Sequence, residues 1–272
     1  MKKSIFLKIA FRIRRLRDLI VYYWVKNIKI YPDKLFINSD GWSQSLSSPN
    51  DFYLDLLALY NRFLPSELRD HRSYFRTSGR GYGEDVFHLM WWMIHLEFKP
   101  QKILEIGVFR GQTLSLSSLI QRKLGVSGHV VGISPFCSAG DGVSVYAENI
   151  DYYQDTLKNF KHFNLGPPDL LKAYSTDPIA KIKIHSAKWD LIYIDGSHDY
   201  SVVAADWDSC SNALRIGGVL VLDDAGLHTN YKPASYSTAG HPGPSRVASE
   251  VTDTRFKRIL QVGHNIVFLR VS

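Results

Sequence analysis

Cysteine is nearly absent from this chain of 272 residues. Cys137 and Cys210 are the only two, and they make neither a CxxC pair nor a metal-ligand spacing. That argues against a disulfide framework or a thiolate metal centre. It fits a reducing, cytoplasmic compartment with both residues as small buried apolar side chains. Long apolar runs are also missing from the N-terminal segment, where Lys8, Arg12, Arg14, Arg15 and Arg17 interrupt every candidate. The longest uncharged stretch there, Leu19 to Val25, is far short of the roughly 20 residues that span a bilayer, and no secretory h-region forms. The expectation is a chain neither secreted nor membrane-spanning.

The body of the chain lacks a positive surplus. Overall, 33 Lys and Arg stand against 26 Asp and Glu, a formal charge of +7, yet residues 1–34 hold ten basic residues and two acids. Residues 35–272 keep 23 basic and 24 acidic side chains. A nucleic-acid enzyme with a positive binding face is therefore not expected, because phosphate neutralisation needs that surplus. Internal repeats and low-complexity tracts are missing as well. A hydrophobic content of 45% and this length suit a soluble globular body that buries a full core without staples.

The basic N-terminal segment carries Phe6, Ile9, Ile13, Leu16 and Ile20 at alternating steps of three and four, one helical face, with Lys8, Arg12 and Arg15 on another. Two partners fit such a helix. One is the headgroup region of an anionic membrane, which would make the protein peripheral at the inner membrane face. The other is protein, either its own domain or a second copy in a homo-oligomer. Three regions follow: a basic helical segment over 1–35, a helical region over 36–98, and an α/β domain over 99–272.

Within 36–98, residues 35–50 read as a polar connector, Asp51 to Leu64 as a helix ended by Pro65, and Val86 to Leu96 as a buried helix. Ser78 to Gly83 is a glycine-rich loop. From Lys102 onward, short apolar runs alternate with helical stretches. Strands are expected at Ile103–Ile106, Val130–Ile133, Leu191–Ile194 and Val219–Leu222, with a third strand and short helix somewhere in Leu170–Ile184. Helices are expected at Thr113–Lys123, Glu148–Phe163 and Ser201–Leu214. Phe256–Val262 and Asn265–Val271 flank Gly263 too tightly for a crossover and must be antiparallel. The fold expected is a doubly wound, mostly parallel, Rossmann-like sheet ending in an antiparallel hairpin, with N-terminal helices. Ligands of such sheets collect at the carboxyl ends of the strands.

Two constellations lie there. Glu105-Ile106-Gly107-Val108-Phe109-Arg110-Gly111 follows the first strand. Its glycines permit a tight turn, the next helix presents free N–H groups, and Glu105 can accept a hydrogen bond from a ligand. Plain strand–helix packing would use the same glycines. The full G-x-G-x-x-G is missing, which disfavours a dinucleotide. The second constellation is Asp195-Gly196-Ser197-His198, with Asp223-Asp224 at the next strand end. On strands about 4.8 Å apart the three carboxylates converge and need a cation or raised pKa values. An all-oxygen set suits Mg²⁺, with His198 placed to take a proton from a hydroxyl held by the metal. Helix capping and a solvated loop histidine are the plainer alternatives. The segment from Ala225 to Pro244, with His228, Tyr231, Tyr236 and His241, is long enough to be an acceptor-binding loop, although each histidine taken singly reads as a surface residue.

The stretches ILEIGVFRGQTL, VVGISPF, WDLIYIDGSHDY and GGVLVLDDAG resemble class I S-adenosylmethionine-dependent methyltransferases. Within that class they are most similar to the macrocin and mycinamicin sugar O-methyltransferase group, over roughly Pro100 to Ser272. The resemblance implies that Glu105, Gly107 and Gly111 line the S-adenosylmethionine pocket, with Asp195 also at the cofactor. It implies Asp195, Asp223 and Asp224 as magnesium ligands and His198 as general base. The acceptor would be a small molecule or glycan bearing a sugar hydroxyl. Ser134 stands where the family usually has an acid that grips the ribose, which implies a weaker hold on the cofactor. A small-phenol or catechol O-methyltransferase, and a non-catalytic scaffold of the same fold, are the alternatives.

Overall fold

A computed structural model describes residues 2–26, 35–37, 40–138 and 140–272, with the side chains of 2–10 and 78 left out. The short apolar runs become β1 (Lys102–Ile106), β2 (His129–Ser134), β3 (Asp169–Lys172), β4 (Trp189–Ile194) and β5 (Leu214–Leu222), with β6 (Phe256–Val262) and β7 (Asn265–Arg270) closing the chain. They form one seven-stranded sheet in the order β3-β2-β1-β4-β5-β7-β6. β1 to β5 are parallel, and β7 joins β5 and β6 antiparallel. This is the mixed Rossmann-like sheet expected from the sequence. The strand order reverses between β1 and β4, so a crevice opens at their carboxyl ends.

The helices are α1 (Lys2–Val25), α2 (Asp40–Ser47), α3 (Pro49–Phe63), α4 (Ser66–Arg76), α5 (Asp85–Phe98), α6 (Gln112–Leu124), α7 (Tyr152–His162), α8 (Pro178–His185), α9 (Tyr200–Ala213) and α10 (Pro242–Glu250). Successive strand residues point to opposite faces, and β5 shows the consequence. Val219 and Val221 join one core with Phe52, Leu56, Leu89 and Leu119 from α3, α5 and α6. Leu220 and Leu222 join the other with Ile184, Val203, Cys210 and Val247 from α8, α9 and α10. Each such side chain, fully buried, contributes on the order of 1.5–3 kcal/mol.

Several expectations need correction. Residues 40–47 are not connector but α2, because Trp42 is buried and its indole N–H donates to Leu35 O at 3.2 Å. That burial comes from packing against β6, which no local periodicity encodes. α7 starts at Tyr152, later than expected, because Asp151 caps it by accepting the Gln154 N–H at 2.9 Å. α10 follows the 225–241 loop and had no expectation. Cys137 is exposed, whereas Cys210 is buried as expected.

α1 docks by a face the apolar stripe did not mark. Val25 is buried, the Asp18 carboxylate accepts the Ser235 N–H at 2.9 Å, and Lys26 pairs with Asp85. Ile13, Leu16 and Ile20 lie on the opposite side of the helix and are 64%, 61% and 60% exposed, with Arg12 and Arg15 exposed beside them. Phe6, Ile9 and Lys8 of the same pattern lie outside the described side chains. No helix among the described residues is long and apolar enough to cross a membrane.

Candidate active site

The loop after β1 lies directly on the loop after β4. Gly107 has φ +92°, and a Cβ there would sit 2.0 Å from the carbonyl oxygen of Asp195, so only glycine lets these backbones meet. Asp195 N–H donates to Ile106 O at 2.8 Å, and Asp223 N–H donates to Ile194 O at 3.0 Å. These bonds extend the ladder one residue past each strand and bring three loops to one point. They enclose a cavity of about 840 Å³ lined by Glu105, Gly107, Ser134, Asp195, His198, Asp223 and Asp224 together. Gly111, expected in the pocket, does not line it. It faces Thr156 of α7, 2.6 Å from where its Cβ would be, and serves helix packing.

The β1–β2 side of the cavity holds little charge. Glu105 is buried, and burial pushes its pKa up to about 8, partly offset by the Leu114 N–H and reinforced by the Asp223 carboxylate. It therefore carries a proton near neutral pH, and its Oε2 has no protein partner. Ser134 ends β2 at the cavity wall, and Phe109 and Phe136 add apolar surface.

The β4–β5 side is densely ionisable. Asp195 has its pKa raised well above the usual carboxylate range by burial and by Asp223, Asp224 and Glu105. It hydrogen-bonds to Asp223, whose own pKa burial and the Asp224 carboxylate also raise. Asp224 has φ +52°, an uncommon conformation for a non-glycine residue. Its carbonyl accepts from His241 N at 2.8 Å and from Ser245 Oγ at 3.0 Å, which fixes the carboxylate beneath the imidazoles.

His198 is held between two acids. Nδ1 is 2.8 Å from Asp141 Oδ2, Nε2 is 3.0 Å from Asp224 Oδ2, and its backbone N–H also donates to Asp141. A ring facing two carboxylates donates from both nitrogens and is an imidazolium. Burial lowers its pKa, but the bonds to Asp224 and Asp141 outweigh that and raise it to about 9. In this state the ring already holds the proton a base would accept. His241 packs against it, ring centroids 4.4 Å apart, with Nε2 3.7 Å from Asp224 Oδ2. His228, by contrast, is exposed.

Two residues that meet this cluster carry no local signal in the sequence. Asp141 lies in an irregular stretch with no spacing signal. It is held ionised, since hydrogen bonds from Ser144, His198 and Val143 override the opposing effect of burial. His264 occupies the β6–β7 turn and lies 3.4 Å from Asp223 Oδ1. The expected hairpin held the clue, since a strand antiparallel to β5 must begin beside the carboxyl end where Asp223 sits.

A Rossmann-like sheet with a cavity at its switch point and carboxylates at neighbouring strand ends defines the class of the site. Residues 104–225 match the family model described as Methyltransferase domain. In sequence, an uncharacterized protein of Acanthamoeba polyphaga mimivirus is 29% identical over 154 residues, 54% of this chain and 59% of that protein. The chain thus spans less than two thirds of that relative's length. Among solved structures, an O-methyltransferase from Bacillus cereus in complex with SAH is 15% identical with a TM-score of 0.55, over 79% of this chain and 95% of that one. An SAH-bound methyltransferase of Podospora anserina is 16% identical with a TM-score of 0.53, over 76% and 88%. At these identities the likeness is one of fold.

Proposed function

We propose that this protein is an S-adenosylmethionine-dependent O-methyltransferase that modifies a sugar hydroxyl of a glycan or glycosylated small molecule with the help of a divalent cation. The observation that carries this reading is the meeting of two unlike half-sites in one cavity: a low-charge pocket in the methyltransferase domain, and the Asp195, Asp223, Asp224 and His198 cluster. Bound S-adenosylmethionine supplies a methyl group already activated on a sulfonium.

The chain fits that cofactor. Glu105 is neutral with an unpartnered oxygen, Gly107 allows close backbone approach, and Ser134 offers a hydroxyl to the ribose. A cation suits the other half, where Asp223 Oδ1 and Asp224 Oδ1 are buried without hydrogen-bond partners. Asp195, which hydrogen-bonds to Asp223, completes the acidic set. A cation bound at Asp224 would favour release of the proton that His198 holds at Nε2, and the neutral ring would then accept the hydroxyl proton there, with Asp141 orienting it through Nδ1. Ser144, Ser237, Thr238 and His241 offer polar contacts to a hydroxyl-rich ring, beside aromatic walls from Tyr146 and Tyr236 on which the face of a sugar can stack.

Transfer of labelled methyl to a panel of glycosides and catechols tests this. Labelled glycoside is expected. Labelled catechol alone would replace the sugar assignment, and no transfer to any acceptor by protein that binds no cofactor would favour the scaffold alternative.

The exposed Ile13, Leu16 and Ile20 between arginines fit contact with an anionic membrane, which would bring the site to lipid-linked acceptors. Co-sedimentation with phosphatidylglycerol vesicles should weaken in Leu16→Glu/Ile20→Glu. Equal supernatant recovery of both proteins would contradict membrane contact.

A further inference from the structure

We propose that the cation site includes an imidazole: His264 Nε2 binds the ion together with Asp223 Oδ1 and Asp224 Oδ1, and this mixed set selects a first-row transition ion over Mg²⁺. The inference rests on the methyltransferase reading only for the purpose of the site, since the ligand geometry stands on its own.

The ring of His264 is oriented from behind. Its Nδ1 lies 3.1 Å from the carbonyl oxygen of Thr238, which can only accept, so Nδ1 carries the proton. Burial lowers the pKa of the ring, but the Asp223 and Asp224 carboxylates and the Thr238 carbonyl outweigh that and raise it, so the site favours positive charge, a proton or a metal ion, at Nε2. That atom points toward Asp223 Oδ1 at 3.4 Å and Asp224 Oδ1 at 3.9 Å. Both separations exceed the roughly 2.7–3.2 Å of an N–H···O bond, and neither oxygen has any other protein partner. Three potential ligand atoms thus face one another across gaps that no short hydrogen bond closes.

One ligand atom from each of Asp223, Asp224 and His264 falls within 4.8 Å of the other two. Ligand atoms bound at about 2.0–2.2 Å to one ion are separated by about 3–4 Å, so the gaps match a shared cation. A histidine that donates its far N–H to a backbone carbonyl is the usual second support of a metal-bound imidazole. Phe87 holds the ring from the side, centroids 4.8 Å apart at 61°, and the residue is only 8% exposed. The site is therefore preorganised before an ion arrives.

Asp224 divides its work. Oδ1 faces the His264 side, while Oδ2 is taken by His198 Nε2 at 3.0 Å. The cation and the proton-handling histidine would share one carboxylate without competing for the same oxygen. Mg²⁺ prefers oxygen alone, whereas Mn²⁺ and the later ions accept imidazole.

The test titrates the full-length protein with Mn²⁺ and with Mg²⁺ by calorimetry, for the wild type and His264→Gln. The Mn²⁺ protein is also examined by pulsed electron paramagnetic resonance for nitrogen coupling. Wild type should bind Mn²⁺ at least 10-fold more tightly than Mg²⁺ and show an imidazole nitrogen coupled to the metal. His264→Gln should lose the coupling and 10- to 100-fold of Mn²⁺ affinity, with Mg²⁺ affinity little changed. Equal affinities for the two ions, no binding of either, or a nitrogen signal that survives in the variant would overturn the proposal. S-adenosylmethionine binding, measured in parallel without metal, reports separately on the methyltransferase reading.

Discussion

The two halves of the cavity handle charge in opposite ways. On the β1–β2 side the one buried carboxyl, Glu105, is neutral because burial favours its proton. On the β4–β5–β7 side Asp223 and Asp224 keep their oxygens close to one another and to three imidazoles, and neighbouring histidines favour the charged form of each. The difference suits the function proposed above. A cofactor that arrives activated needs containment, whereas an unactivated hydroxyl needs a cation and a proton acceptor.

Substitutions that equalise the halves should expose this division. Asp223→Asn removes a carboxylate from the charged half and should lower cation-dependent methyl transfer by at least about 1,000-fold. The Kd for S-adenosylmethionine should stay within about threefold, as read by calorimetry. Asp141→Asn leaves the cluster intact but frees the His198 ring. A fall of about 10- to 100-fold in kcat with little change in KM is expected, by analogy with the loss of other orienting partners.

The other half can be given the charge it lacks. Ser134→Asp supplies the anion missing at the end of β2, and S-adenosylmethionine should bind about 10-fold more tightly, roughly 1.4 kcal/mol, through charge-assisted bonds to the ribose. Unchanged affinity would mean that Ser134 does not meet the ribose.

Glu105 gives the smallest effect and a defined sign. Its native pKa of about 8 lies above its ordinary value of 4.5, so between those limits the folded protein keeps a proton that the unfolded chain releases. Stability on this account is fully present below about pH 4.5 and falls as pH rises toward 8, by on the order of 1 kcal/mol per pH unit. Urea unfolding at pH 5.5 and 7.5 should show a smaller difference in Glu105→Gln than in the wild type. Identical differences would mean that Glu105 is not the group.

The strand ends were the legible part of both halves. Buried parallel strands read as apolar runs, so the ends of β1, β4 and β5 could be located and Glu105, Asp195, His198, Asp223 and Asp224 assigned to them. What escaped depends on distance along the chain. Asp141 reaches His198 from 57 residues away through a loop with no periodicity. His264 is adjacent to Asp223 only because β7 pairs with β5. Gly111 matched a cofactor-loop pattern yet faces Thr156, since the same spacing also serves helix packing. α2 was hidden because the burial of Trp42 is tertiary, and the docked face of α1 because it is polar.

Calorimetric titration of the folded full-length protein with S-adenosylmethionine, in the presence and absence of Mn²⁺, addresses the division most directly. Saturable one-to-one binding in both conditions, with affinities within about threefold of each other, is the predicted result for a cofactor half that works independently of the cation. No detectable heat from protein shown to be folded, or binding that appears only with the metal, would contradict it.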